Sequence, residues 1–341
     1  MSEIKVLAVD DSILFRELLS KGMKRFSDIK VVGVASDPFD AKDKILSLRP
    51  DVMTLDVEMP CMDGIKFLRN LMPQYPLPVV IISSLRESVF EAMDAGAVDF
   101  IPKPGNMSKD GDDFINEIAA KIRLAATAKP AFRRSAQVDI KLAAMGLRAT
   151  PDPLDIVTIG ASTGGTEAIY SILTKYGANM PGFVIVQHMP EGFTKLFAAR
   201  LDSATSLEVK EAEDGDDIRP GRALVAPGGM QTRVRRTAHG YAVSVAEGAK
   251  VNGHSPSVDV LFESVAEAAG SHAIGVILTG MGTDGALGLK MISDAGGYTI
   301  GQDERSSVVY GMPMAAFLTG GVKTQLPLYR IADEIIRKLE S

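Results

Sequence analysis

Apolar and polar positions fall along this chain in blocks. Five short apolar runs recur in the first third: Ile4–Val9, Lys30–Ala35, Asp51–Leu55, Pro78–Ser83 and Val98–Ile101. Helical spacing of apolar residues fills the gaps, over Ile13–Arg25, Phe39–Leu48, Ile65–Met72, Glu87–Ala95 and Asp113–Leu124. Continuous apolar runs of this length suit strands covered on both faces, and their alternation with helices predicts βα units. The second half carries strand-like runs at Asp155–Ile159, Gly182–Gln187 and Ala273–Leu278, with a helical pattern over Thr166–Tyr176 after the first. The expectation is α/β in two domains, each a mainly parallel sheet flanked by helices.

Charge sharpens the division. Residues 1–123 hold 16 Lys/Arg against 20 Asp/Glu, and residues 151–341 hold 16 against 22. The stretch between them, 124–150, reverses the sign with 5 against 1. It is Ala-rich and lacks periodicity, so it reads as a basic linker between two acidic domains, 1–123 and 151–341. A net charge of −6 disfavours nucleic acid as the main partner. No apolar run approaches the ~20 residues of a membrane span, so no membrane insertion is expected. Met1–Lys5 has no signal-peptide pattern, and Cys61 is the only cysteine. A cytoplasmic setting without an intrachain disulfide fits both. Cys61 has no nearby base and is expected to be a bystander thiol.

Ligands of parallel sheets bind beyond the carboxyl ends of the strands. Asp10, Asp11, Asp56, Ser83 and Lys103 all fall at such ends. Carboxylates gathered there repel one another unless a cation neutralises them, and an oxygen-only cluster suits Mg²⁺. A lone Asp-Asp pair would be a solvated helix entry; the wider set reads as an aspartate that accepts a phosphoryl group.

Val9-Asp10-Asp11-Ser12, the loop Asp56–Gly64, Ser83–Ser84 and Lys103–Pro104 together resemble the receiver domain of two-component response regulators, over about residues 1–123. The resemblance implies a flavodoxin-like fold with Asp56 as phosphoacceptor. It implies Mg²⁺ held by Asp10, Asp11, Asp56 and the backbone carbonyl of Glu58. Ser83 is then the hydroxyl that turns toward the phosphate, Lys103 pairs with it, and Phe100 occupies the aromatic switch position.

In the second half, Asp155–Ile159 leads into Gly160-Ala161-Ser162-Thr163-Gly164-Gly165, a G-x-S-x-G match between strand and helix. Such a turn exposes the Ser162 hydroxyl at a helix N-terminus, where developing negative charge is favoured. The next strand-like run ends in His188, and a third leads to Thr279–Gly285, which contains Asp284. Nucleophile, base and orienting carboxylate thus follow three parallel-type strands. Met281 is close enough in sequence to offer a backbone N–H to an oxyanion. The order Ser-His-Asp differs from the Ser-Asp-His order of α/β-hydrolases and argues against that fold. A dinucleotide loop would call for an acid where Gln187–His188 stands. Of the other histidines, His239 lies in a turn and His272 before a strand. His254 precedes a helix and is the second to test, as a substrate-side contact.

With these residues in view, Ile159–Gly165, Gln187–Pro190, Ala226–Gly229, Ser255–Phe262, Ile277–Gly288 and Gln302–Pro313 resemble the methylesterase domain of chemotaxis response regulators, over about 152–341. The resemblance implies a doubly wound domain with a Ser162, His188 and Asp284 triad and with Thr163 and Met281 lining the site. It implies hydrolysis of glutamate γ-methyl esters on chemoreceptor cytoplasmic helices, with deamidation of particular glutamines. No cofactor is expected in the esterase site. A chemotaxis histidine kinase is the implied phosphodonor, and its action lifts a block that the receiver imposes. Two other classes stay open: a binding module with a decayed esterase, and a serine esterase acting on a different ester.

Overall fold

The computed structural model describes residues 3–59, 63–85, 87–104, 107–128, 152 and 154–341. The chain divides into two compact units, Met1–Ala136 and Gln137–Ser341. Cys61 and residues 129–150 of the expected linker lie outside the described residues. Among the described residues no helix is long and apolar enough to cross a membrane.

The first unit runs β1 (Ile4–Val9), α1 (Ile13–Met23), β2 (Ile29–Ala35), α2 (Pro38–Leu48), β3 (Val52–Leu55), α3 (Gly64–Leu71), β4 (Val79–Ser83), α4 (Ser88–Asp94), β5 (Asp99–Pro102) and α5 (Met107–Thr127). Its five strands are parallel, in the order β2-β1-β3-β4-β5. Helix starts follow local chemistry. Ser12 accepts from the Phe15 N–H, Asp37 accepts from Phe39 and Asp40 ahead of Pro38, and Asp63 accepts from Ile65. α5 runs on to Thr127, so the first four residues of the expected linker are helical. The charge pattern marked the change of composition, whereas buried Leu124 and Ala125 extend the packed helix past it.

The second unit runs β6 (Ile156–Ala161), α6 (Gly165–Leu173), β7 (Gly182–Gln187), α7 (Phe193–Ala204), β8 (Glu208–Glu211), β9 (Asp217–Ile218), β10 (Arg222–Val225), β11 (Gln231–Thr237), β12 (Gly240–Ala246), α8 (Val258–Ala269), β13 (Ala273–Ile277), α9 (Ala286–Asp294), β14 (Tyr298–Gln302), α10 (Met312–Leu318), β15 (Thr324–Leu326) and α11 (Leu328–Leu339). Seven strands form a parallel sheet, β15-β14-β13-β6-β7-β10-β8. A separate antiparallel sheet, β11-β12-β9, was not anticipated. Its strand Gln231–Thr237 carries Arg233, Arg235 and Arg236 on exposed positions and buries Val234, a half-buried pattern that resembles a polar loop. One core joins the two sheets. Val184, Val186 and Leu224 of the large sheet and Val234, Tyr241 and Val243 of the small one share a cluster with Val258, Leu261, Phe262 and Val265 of α8.

Each parallel sheet reverses its winding at a central strand. The chain leaves β1 for β2 and returns to β3; it leaves β6 for β7, β10 and β8, then returns to β13. In sheets of this kind ligands bind at such reversals, beyond the carboxyl ends of the strands.

Candidate active site and acidic pocket

In the first unit Asp10 follows β1, Asp56 follows β3 and Lys103 follows β5. Lys103 Nζ donates to Asp10 Oδ2 at 2.8 Å and to Asp56 Oδ2 at 2.5 Å. The other oxygen of each aspartate accepts a backbone N–H, from Ser12 at 2.8 Å and from Glu58 at 3.0 Å. Both carboxylates are buried, and the exposed Asp11 brings a third within 4.8 Å of them. Gly64 lets the loop after Asp56 close, because a Cβ there would stand 2.6 Å from the Asp56 carbonyl oxygen. Burial pushes the Asp10 carboxyl above its ordinary pKa; Lys103 and the Ser12 N–H oppose that without cancelling it, and neighbouring Asp56 adds to it. Burial works against the Lys103 charge, but its bonds to Asp10 and Asp56 outweigh burial and raise its pKa. Three carboxylates facing one lysine leave an excess of negative oxygen donors, so the pocket fits a hard divalent cation. Ser83, buried at the end of β4, accepts from the Leu85 N–H at 3.1 Å and gives its carbonyl to the Lys103 N–H at 2.9 Å. Phe100 is buried in β5, opposite Ile81.

In the second unit Ser162 follows β6, His188 follows β7 and Asp284 lies in the loop after β13, so all three lie at the carboxyl-end edge of the sheet. The Ser162 N–H donates to the Thr279 carbonyl at 3.0 Å. Gly280 makes that approach possible, since a Cβ there would stand 2.7 Å from the Ser162 Cβ. Gln187 straps serine and histidine loops together, its Nε2 donating to the Ser162 carbonyl at 2.9 Å and the His188 carbonyl at 3.2 Å. Gly164, at φ +76, turns the chain into α6, whose N-terminus lies beside Ser162.

His188 Nε2 lies 2.8 Å from Asp284 Oδ2. Asp284 also accepts from Asn252 Nδ2 at 2.9 Å, Ser257 Oγ at 2.7 Å, the Val258 N–H at 2.7 Å and the Asp259 N–H at 3.2 Å. Burial alone would raise its pKa, but the bonds from His188, Asn252 and Ser257 hold it well below the usual carboxylate range. An ionised carboxylate only accepts, so Nε2 carries the imidazole proton and Nδ1 the lone pair. Nδ1 is buried and has no hydrogen-bond partner among the described residues. The serine–imidazole bond is therefore open here, as such bonds often are without substrate. Thr163 is buried and its carbonyl accepts from Thr279 Oγ1 at 3.0 Å, whereas Met281 is 55% exposed at the rim.

His254 stacks on His188, with ring centroids 3.6 Å apart and planes at 9°. His254, expected as a substrate-side contact, thus lies directly against the imidazole. His239 is exposed at the β11–β12 hairpin, and His272 Nδ1 lies 3.4 Å from Asp155; neither joins the site. Sequence reasoning missed Asn252 and Ser257. The signals were present: an Asn-Gly pair that favours a tight turn, and a serine in the N-cap position of α8.

A model of the CheB methylesterase family matches residues 157–335, and one of the response regulator receiver domain matches residues 6–109. The chain is 52% identical over 338 residues to a protein-glutamate methylesterase/protein-glutamine glutaminase 2 of Syntrophomonas wolfei, covering 99% of this chain and 98% of the relative. It is 49% identical over 342 residues to a protein-glutamate methylesterase/protein-glutamine glutaminase of Syntrophotalea carbinolica, covering 98% and 97%. Among solved structures it is similar to the CheB methylesterase catalytic domain of Thermotoga maritima. There the TM-score is 0.53 and the identity 39%, over 54% of this chain and 98% of the other.

Proposed function

This chain belongs to the CheB methylesterase family, and on that premise we propose that Ser162, His188 and Asp284 form the catalytic triad of a phosphorylation-regulated protein-glutamate methylesterase. Its substrates are γ-methyl-esterified glutamates on chemoreceptor cytoplasmic helices, and it deamidates particular receptor glutamines by the same acyl chemistry. The carrying observation is the His188–Asp284 pair: the carboxylate holds Nε2, and the buried Nδ1 has no hydrogen-bond partner among the described residues.

Ser162 Oγ attacks the ester carbonyl carbon while His188 Nδ1 takes its proton. Asp284 holds Nε2–H and stabilises the imidazolium. The backbone N–H of Met281, with Thr163 beside it, receives the oxyanion. The tetrahedral intermediate collapses, methanol leaves with the proton from Nδ1, and an acyl-serine remains. Water then attacks the acyl carbon and gives a proton to Nδ1. Collapse releases the glutamate and returns that proton to Ser162 Oγ. For deamidation the leaving group is ammonia.

Residues 1–123 act as receiver and 151–341 as catalytic domain, joined by 124–150. Asp56 accepts the phosphoryl group from a chemotaxis histidine kinase. Mg²⁺ bound by Asp10, Asp11, Asp56 and the Glu58 carbonyl would neutralise charge on the incoming phosphoryl group. Lys103 pairs with that group, Ser83 turns toward it and Phe100 transmits the change. The enzyme works in the cytoplasm. The test is methanol release from methylated receptor membranes, with mass spectrometry of the receptors to locate each glutamate. Full turnover with wild-type protein and none with His188→Ala is expected. A double Ser162→Ala, His188→Ala variant much worse than either single one would argue against a shared mechanism, because members of one unit do not add.

A further inference from the structure

The hydrogen bond to Asp284 fixes one edge of the His188 ring, but it does not by itself fix the ring plane. Terminal histidine torsions are broad, so an imidazole held at one nitrogen can still rock about its side-chain bond. The segment Val251–His254 supplies what is missing. Val251 and His254 exchange both backbone bonds, at 3.0 and 2.9 Å, closing a two-residue hairpin. Asn252 at φ +52 and Gly253 at φ +84 are its central residues, a left-handed pair that an Asn-Gly sequence favours. One tight turn thus presents two side chains to the site. Asn252 Nδ2 bridges Asp284 Oδ1 at 2.9 Å and Asp259 Oδ2 at 2.7 Å. The His254 ring lies flat against the His188 ring.

The turn is itself anchored. Buried Gln231 donates to the Ala249 carbonyl at 3.0 Å and the His254 carbonyl at 3.1 Å, and accepts from the Ser257 N–H at 3.0 Å. Ser257 Oγ then donates to Asp284. The turn and the carboxylate are therefore held by one set of bonds, with Gln231 at its base.

We propose that the Val251–His254 turn is a positioning clamp: Asn252 fixes the Asp284 carboxylate, and His254 fixes the plane of His188 by stacking on its ring. Neither residue exchanges a proton with substrate. The clamp rests on the reading of Ser162, His188 and Asp284 as the triad. His254 acts through its flat shape, so another flat ring replaces it; Asn252 acts through its amide, so glycine, which accepts the same φ, does not.

The test uses the full-length chain with phosphodonor and methylated receptor membranes, on His254→Ala, His254→Phe and Asn252→Gly. His254→Ala is expected to lower kcat on the order of 10²-fold, the scale of a small misplacement of a reacting group, with KM unchanged. His254→Phe restores kcat to within a few-fold of wild type. Asn252→Gly lowers kcat by about tenfold with KM unchanged, as loss of an orienting partner does. In the NMR spectrum of substrate-free protein, the His188 Nε2 proton exchanges faster with water in His254→Ala and at the wild-type rate in His254→Phe. This keeps the proposal testable if the alanine variant loosens the loop, because the phenylalanine and glycine variants preserve ring and turn. A His254→Ala variant with unaltered kcat overturns the clamp. So does a rise in KM at constant kcat, which marks a substrate contact, or a phenylalanine variant as poor as the alanine one, which marks proton chemistry at His254. Ser162→Ala is run alongside. If it keeps full turnover the triad reading falls; if it is inactive while His254→Ala is unimpaired, only the clamp falls.

Discussion

Two buried aspartates, Asp10 and Asp284, occupy equivalent places in their units, each beyond the carboxyl end of a parallel strand at a reversal of the sheet. Their chemistry is opposite. Asp10 receives one backbone N–H and shares one lysine with Asp56, and burial wins: its pKa rises. Asp284 receives five donors, two of them from the N-terminus of α8, and the donors win: its pKa falls. Burial penalises both anions and Asp56 adds to the penalty at Asp10, so the donors aimed at each, set against that penalty, decide the sign. The first pocket is left short of positive charge, which suits a hard divalent cation. The second gathers enough donors to favour the ionised carboxylate beside the His188 imidazole.

The strongest test of that contrast separates the two sites by function. Ser162→Ala should cut methanol release by on the order of 10⁴–10⁶ in kcat, the cost of removing one member of a triad. Phosphorylation of Asp56 from a small phosphodonor should be unchanged, since no part of the acidic pocket is touched. Near-normal methanol release would remove Ser162 from the mechanism.

Asp56→Asn reverses the pattern. Phosphoryl uptake should disappear while basal methanol release persists at the unphosphorylated level. Stoichiometric acid-labile phosphate on this variant would place the acceptor elsewhere. Asp11→Ala should weaken Mg²⁺ binding in a titration, because a charged oxygen ligand is lost.

Removing residues 1–150 should raise basal activity above that of the unphosphorylated full-length protein and abolish the response to phosphodonor. Moving such an equilibrium from 1:99 to 99:1 takes about 5.5 kcal/mol, so a partial shift already gives a clear rise in initial rate. A folded fragment no more active than its parent would point to positive activation by the receiver instead of release from a block.

The smallest effect tests the two carboxylates themselves. The Asp10 pKa lies above its ordinary value of 3.8, so the folded state binds the proton more tightly than the unfolded one. Stability from this group therefore falls as pH rises above that range. Asp10→Asn should raise the melting temperature of the first unit at pH 7, because it removes the penalised charge. The gain should shrink as pH is lowered toward 4. Asp284 has the opposite sign: its contribution is complete above the ordinary value of 3.8 and is lost as pH falls below it. Asp284→Asn should lower the melting temperature of the second unit at pH 7, with the loss shrinking in acid. Melting curves of both variants across pH check the pair, and equal signs would undo the comparison.

Much of this was legible in the chain. Short apolar runs require burial on both faces, so they fixed the parallel strands: β1 matches the run Ile4–Val9, and β7 the run Gly182–Gln187. Strand ends then located Asp10, Asp56, Lys103, Ser162 and His188, because a βα unit delivers the residue after each strand to one edge of the sheet. The three-stranded sheet stayed hidden because its arginine-rich strand buries few side chains. Whether His188 would meet Asp284 through Nε2 or Nδ1 had no signal in sequence, since both nitrogens belong to every histidine. Nor had the stacking of His254, the bridge from Asn252 or the anchor at Gln231. These contacts join residues far apart in sequence, and their distances depend on how β11, α8 and the loop after β13 pack. Local pattern determined which elements form and which side chains stand at their ends; only packing in three dimensions decided how many donors reach each carboxylate, and with that its charge and its use.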